Sequence, residues 1–163
     1  MNFHEGDLVM HWTFGLGKVV RLEERNMSGG NIMYCAVQVN DMTVWVPKDD
    51  RMETSLRYPT PENEFRKLLT ILSTPGDPLP DGRHERKTML TEILKDGSAE
   101  SLCRVIRRLV TYSKVRPLNE SDQATLKRAK KALIGEWGVA LSITPMQAEA
   151  DMYNLLQSGS SGD

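Results

Sequence analysis

Three groups of basic residues mark the second half of the sequence: Arg83-Arg86-Lys87, Arg104-Arg107-Arg108 and Lys127-Arg128-Lys130-Lys131. In a helical segment, spacings of three and four set members of each group on a common face. Such a surface is suited to phosphate, because each Lys or Arg contact displaces condensed counterions and positions a protein without reading sequence. An ordinary solvated face is the competing reading. Residues 83–131 hold thirteen Lys/Arg against six Asp/Glu, whereas residues 1–58 hold six against eight. The net charge of −1 argues against a non-specific nucleic-acid coat, so what matters is the concentration of positive charge in one stretch.

Other chemistries find little footing. GxSxG, GxxxxGK[ST], HExxH and GxGxxG are all absent, and Gly15-Leu16-Gly17 lies between expected strands instead of opening a helix. Adjacent carboxylates at Glu23-Glu24 and Asp49-Asp50 diverge in exposed strand ends or turns and would not share a proton. Cys35 and Cys103 are far apart in apolar stretches, and His4, His11 and His84 are scattered without a second ligand at metal-binding spacing. We therefore expect no catalytic residues, no metal and no cofactor, with both cysteines reduced in cores. No apolar run nears the roughly 20 residues that span a bilayer, and MNFHEGD is unlike a secretory signal, so a cytoplasmic protein without membrane contact is expected.

The elements that must position these residues fall into two kinds. From Asp7 to about Pro47, alternating β-branched and aromatic residues predict strands at 7–12, 17–24, 31–39 and 42–47, joined by turns at Gly15, at Ser28-Gly29-Gly30 and at Asn40-Asp41. Four or five short strands in fewer than sixty residues suggest a small SH3- or Tudor-like barrel with an open strand edge. Its inward face is expected to hold Val9, Val19, Met33, Cys35, Val37, Val44 and Val46, subject to a one-residue register error that would exchange the faces. The sides taken by Trp12, Tyr34 and Trp45 stay open.

Pro59-Thr60-Pro61 cannot continue a ladder or a helix and marks the boundary. Helices are expected at 62–72, at about 82–95 ending on Asp96-Gly97, from an N-cap at Ser98 to 113, from Asn119 or Ser121 to 141, and from Thr144-Pro145 to about 157. The expected fold class is thus α+β: a β-barrel over residues 1–58, an all-α domain of about five helices over 59–158, and a flexible tail over 159–163, within the end sequence SGSSGD.

The order of elements and several motifs resemble the CarD-like bacterial transcription regulators, whose N-terminal module is shared with the polymerase-interacting domain of transcription-repair coupling factor. The likeness covers nearly the whole chain. It is carried by Phe3, Gly6, Asp7 and Val9 in F-x-x-G-D-x-V, by the turn at Gly15, by Val44 to Pro47, by EILKDG at 92–97, and by Ala129, Leu133 and Glu136. The resemblance implies a regulator that binds the β subunit of RNA polymerase through the barrel and touches promoter DNA through the helices, at the upstream edge of the bubble. Open-complex stability would be what it modulates.

By position, Arg25 matches a family arginine that contacts polymerase, and Trp45 stands where a second contact is commonly arginine; Val44 and Val46 complete the expected polymerase-binding set. The expected DNA-binding set is Arg83, Arg86, Lys87, Arg116, Arg128 and Lys130. Arg83 occupies the place where many relatives carry a tryptophan wedge, and Glu85 and Thr88 fall where basic residues are frequent. Arginine can enter a narrow minor groove but cannot occupy an unstacked base step as an indole does, so weaker fork stabilisation is expected. A monomer is expected. The competing reading is a polymerase-bound adaptor whose helical half recruits another protein.

Overall fold

The computed structural model describes residues 2–49 and 55–160. The chain divides into two compact units, Met1–Pro59 and Thr60–Asp163. The first is one antiparallel sheet: β1 (Leu8–His11), β2 (Gly15–Met27), β3 (Gly30–Val39), β4 (Met42–Pro47) and β5 (Leu56–Arg57), in the order β4-β3-β2-β1-β5. The expected fold class holds, and β2 runs longer than the sequence suggested. Asn40, at φ 53°, and Asp41 form the two-residue turn between β3 and β4.

Every strand feeds one core. Val9, Val19, Cys35, Val37, Val39, Val46 and Leu56 are buried there with Phe3, and Val44 packs against them. Met33, expected inward, is 39% exposed, because the β2–β3 ladder continues beyond the core that its inner face would cover. Val19 pairs with Val37 but Arg21 with Ala36, so Val20 is an extra residue, a bulge that reverses the alternation of β2. Beyond it Leu22 packs against the core and Arg21, Glu23 and Arg25 share the outer side with Tyr34 and Ala36, their partners or neighbours on β3.

The F-x-x-G-D segment has a mechanical basis. Phe3 is 3% exposed, the Asp7 carboxylate accepts from the His4 amide (2.9 Å) and the Tyr58 hydroxyl (3.1 Å), and Gly6 sits at φ 93°, where a side chain would be strained.

The second unit holds α1 (Glu62–Leu72), α2 (Arg83–Leu94), α3 (Ala99–Ser113), α4 (Glu120–Leu141) and α5 (Pro145–Ser160) around a core that includes Phe65, Leu90, Ile106, Leu133 and Trp137. Local chemistry explains the boundaries. Ser98 Oγ accepts from the Ser101 amide, Asn119 Oδ1 from the Asp122 amide, and Thr144 Oγ1 from the Gln147 amide. The residue before the N-cap of α1 is held from a distance: Glu136 of α4, wholly buried, accepts from Thr60 N (2.8 Å) and Thr60 Oγ1 (2.7 Å). Of the tail expected to be flexible, Gly159 and Ser160 instead extend α5, and 161–163 lie outside the described residues. Gly159 is buried so closely that a Cβ there would come within 2.7 Å of Arg107 Nη1.

Cys35 and Cys103 are both buried free thiols, and burial, with Glu136 and Glu100 adding, pushes Cys103 up to about 12. Among the described residues no group of His, Cys, Asp and Glu is arranged to hold a metal ion, and no helix is long and apolar enough to cross a membrane.

Candidate functional site

The outer face of the sheet gathers two cations and two aromatic rings. Trp45 on β4 and Arg21 on β2 both pair with Ala36 of the intervening β3. Alanine offers only a methyl group there, which leaves room for the indole above β3. The Arg25 guanidinium lies 4.0 Å from the centroid of Trp45 and 6.0 Å from that of Tyr34, while that of Arg21 lies 5.3 Å from Trp45. An exposed contact of this kind contributes about 0.5–1 kcal/mol, and roughly 2 or more once water is excluded. Arg21 also pairs with Glu23 at 3.3 Å, with both side chains well exposed. The cluster thus presents exposed guanidinium groups on half-buried rings, a form suited to a partner that would cover it.

Arg25 and Trp45, singled out separately in the sequence, are brought together. Val46 is not part of this surface: it is 3% exposed and faces the core opposite Cys35, and Val44 faces the same way opposite Val37. Both were expected in the binding set, and strand alternation removes their side chains from it. What they retain is their backbone, since β4 has a ladder partner on one side only among the described residues. Arg21 and Tyr34 also belong to the cluster and were not in the expected binding set. The signal that would have found them is the β2–β3–β4 register.

In the helical unit the three basic groups divide by burial. Arg83 is exposed at the first residue of α2, with Lys87 one turn on; Lys127, Arg128 and Lys131 are exposed on α4, and Lys130 is half-buried. Arg116 is exposed and pairs loosely with Asp81 (3.4 Å). Among the described residues none of Arg83, Lys87, Arg128 and Lys130 forms an ion pair, which leaves their charge to solvent or a partner.

Arg86 overturns the expectation of a phosphate contact. It is 4% exposed and its fork is engaged on every side: Nε and Nη2 reach Asp122 (2.9 and 2.8 Å), and Nη1 donates to the carbonyls of Pro80 and Asp81 and to the Tyr112 hydroxyl. The guanidinium also lies 4.8 Å from the Tyr112 centroid. The Asp122 hydrogen bond holds Arg86 above its ordinary range, so it is a permanently charged internal fastener between α2, α3 and α4. Arg107 is similar: 2% exposed, it donates to the carbonyls of Leu72 and Leu156 and to Thr111 Oγ1, joining α3 to the ends of α1 and α5. Spacing showed that these arginines share a helix face with their neighbours. It could not show that Arg86 and Arg107 turn inward while their neighbours stay outside.

Two family models match the chain. One, described as the CarD-like/TRCF RID domain, covers residues 3–57; the other, described as CarD, C-terminal domain, covers residues 67–153.

Proposed function

The chain belongs to the CarD family, a family of regulatory, non-enzymatic proteins whose RID domain interacts with RNA polymerase, and from that premise we propose that it binds the polymerase β subunit and promoter DNA. The β unit docks on a lobe of the β subunit through the Arg25–Trp45 cluster, with the free edge of β4 beside it. That cluster carries the reading: an exposed cation stacked on a half-buried indole, at an edge of the domain that interacts with polymerase. Aromatic and arginine side chains of this kind are the usual anchors of protein interfaces.

The helical unit touches promoter DNA at the upstream edge of the bubble and modulates open-complex stability. Support comes from Arg83, Lys87, Arg116, Arg128 and Lys130, which keep accessible charge after Arg86 is assigned to the interior. Arg83 supplies electrostatic attraction to the minor groove where a wedge would unstack bases, so fork stabilisation is weaker than with tryptophan. Such a protein works in the cytoplasm as a monomer.

Affinity of the full chain for the β lobe, measured with Arg25→Glu and Trp45→Ala, tests the first half. Undiminished binding by both variants sinks the interface. Open-complex lifetimes test the second: Arg83→Trp is expected to lengthen them and Arg83→Ala to shorten them, and unchanged lifetimes for both remove the fork contact. A second reading, an adaptor whose helices recruit another protein, draws on exposed Val115, Met146 and Tyr153. Salt separates the two, because phosphate contacts weaken steeply with ionic strength and an apolar interface does not.

A further inference from the structure

A recess of about 340 Å³ in the helical unit opens between the end of α1, the loop that follows it, and α3. Its lining includes the hydroxyl-bearing Thr70 and Thr74, Arg104, Arg107 and Arg108 one turn apart on α3, and a single carboxylate, Asp77. Arg107 is engaged internally and forms a charged floor. The other two arginines are held by weak anchors. Arg104 reaches Glu100 at 3.0 Å with both side chains about half exposed, and Arg108, only 18% exposed, reaches Asp77, which is 82% exposed, at 3.0 Å. The first pair is open to water and contributes little, and in the second Asp77 reaches the sheltered Arg108 from solvent, so a better anion would exchange for either carboxylate readily.

We propose that this recess binds a small phosphorylated ligand, whose phosphate displaces Asp77 from Arg108 and draws Arg104 away from Glu100. Asp77 then acts as a tethered stand-in for the anion. Its loop is stiffened by Pro75, Pro78 and Pro80 and lies against α3 so closely that a Cβ on Gly76 would come within 3.1 Å of Arg108 Cα. The carbonyls ending α1, which would repel an anion, are occupied: Thr70 O accepts from Thr74 Oγ1 (2.7 Å), Ile71 O from the Thr74 amide, and Leu72 O from Arg107.

Arginine is suited to phosphate because its planar fork donates two parallel hydrogen bonds. The volume lies near the lower bound of small-molecule sites, roughly 300–1,000 Å³, and admits one phosphate-bearing group where a duplex backbone would pass outside. Arg108 Nη1 also lies 3.4 Å from Met89 Sδ of α2, so an occupant that redirects Arg108 alters a contact on the helix that begins with Arg83. The proposal does not depend on DNA binding by that helix.

Calorimetric titration of the full chain with inorganic pyrophosphate tests it. Saturable one-to-one binding is expected, weakened at least about tenfold by Arg108→Gln and by Arg104→Gln and strengthened about threefold by Asp77→Asn. Arg104→Gln alters an exposed side chain and should melt as the parent does, which keeps the result readable if Arg108→Gln is unstable. Arg83→Ala should leave pyrophosphate binding intact. Absence of saturable binding, indifference to both arginine variants, or weakening by Asp77→Asn would overturn the proposal. So would a response of duplex DNA affinity to Arg104→Gln in place of a response of pyrophosphate.

Discussion

Each unit contains an arginine stacked on an aromatic ring, and the two pairs have opposite consequences. Arg25 over Trp45 stands on an exposed sheet face with no carboxylate partner among the described residues, so its donors remain for whatever covers it. Arg86 over Tyr112 lies in the interior with Asp122 and two backbone carbonyls completing its hydrogen bonds. The same two groups stay open to a partner in one place and make a fastener in the other. What distinguishes them is whether polar partners from the same unit already saturate the guanidinium.

The largest effect expected from breaking this comparison is on the buried side. Arg86→Met strands Asp122 as an uncompensated buried charge, at a cost of about 3–5 kcal/mol and a fall in Tm of more than about 10 °C. Adding Asp122→Leu should recover most of that loss in the same melting experiment. An Arg86→Met protein that melts like the parent would return Arg86 to the list of phosphate contacts.

On the exposed side the order inverts. Trp45→Ala should lower β-lobe affinity by about 2 kcal/mol, roughly thirtyfold, while changing stability by less than the buried substitution does. A double-mutant cycle with Arg25→Ala should give a coupling of about 0.5–2 kcal/mol if the stacked pair acts as one unit. Strict additivity would separate the two residues.

Smaller still is the change expected for one accessible cation. Arg83→Ala, or Arg128→Ala, should reduce the slope of log affinity for DNA against log salt by about one and weaken binding to all sequences alike. A slope identical to the parent's would place that arginine away from phosphate.

The smallest effect concerns His11, which is held neutral where Arg86 is held charged. Its Nδ1 accepts from the amides of Thr13 (3.1 Å) and Phe14 (3.3 Å), and burial lowers its pKa from the ordinary 6.5. The unfolded chain therefore binds a proton that the folded chain resists, and stability should decline as pH falls below about 6.5, levelling off below the folded value. His11→Asn keeps an acceptor at that place and does not titrate. Urea unfolding from pH 7 to 5 should show a shallower decline in that variant, and equal slopes would clear His11 of the effect.

These contrasts also show what a sequence can disclose. The helix start at Ser98 was legible, and the next was narrowed to Asn119 or Ser121, because a capping oxygen and the amide it serves are three residues apart. The strands were legible through their alternation. The Arg25–Trp45 stack was not, since it joins residues on β2 and β4 and depends on the register of both with β3. Asp122 was hidden for another reason. Three residues beyond Asn119, it reads as an ordinary acid in a first turn, and nothing local ties it to Arg86 thirty-six positions earlier.

The bulge at Val20 gives β2 something like a reading frame. Up to Val19 the odd-numbered residues point inward, and beyond Arg21 the even-numbered ones do. Carried forward without interruption, the first frame would bury Arg21, Glu23 and Arg25 and expose Leu22. Losing Val20 would merely straighten the strand, with every later side chain kept on its present side. Losing any single residue between Leu22 and Glu24 would turn Arg25 inward. A one-residue loss at Val20 thus spares the Arg25–Trp45 face, whereas one between Leu22 and Glu24 takes Arg25 away from it without touching a residue on it.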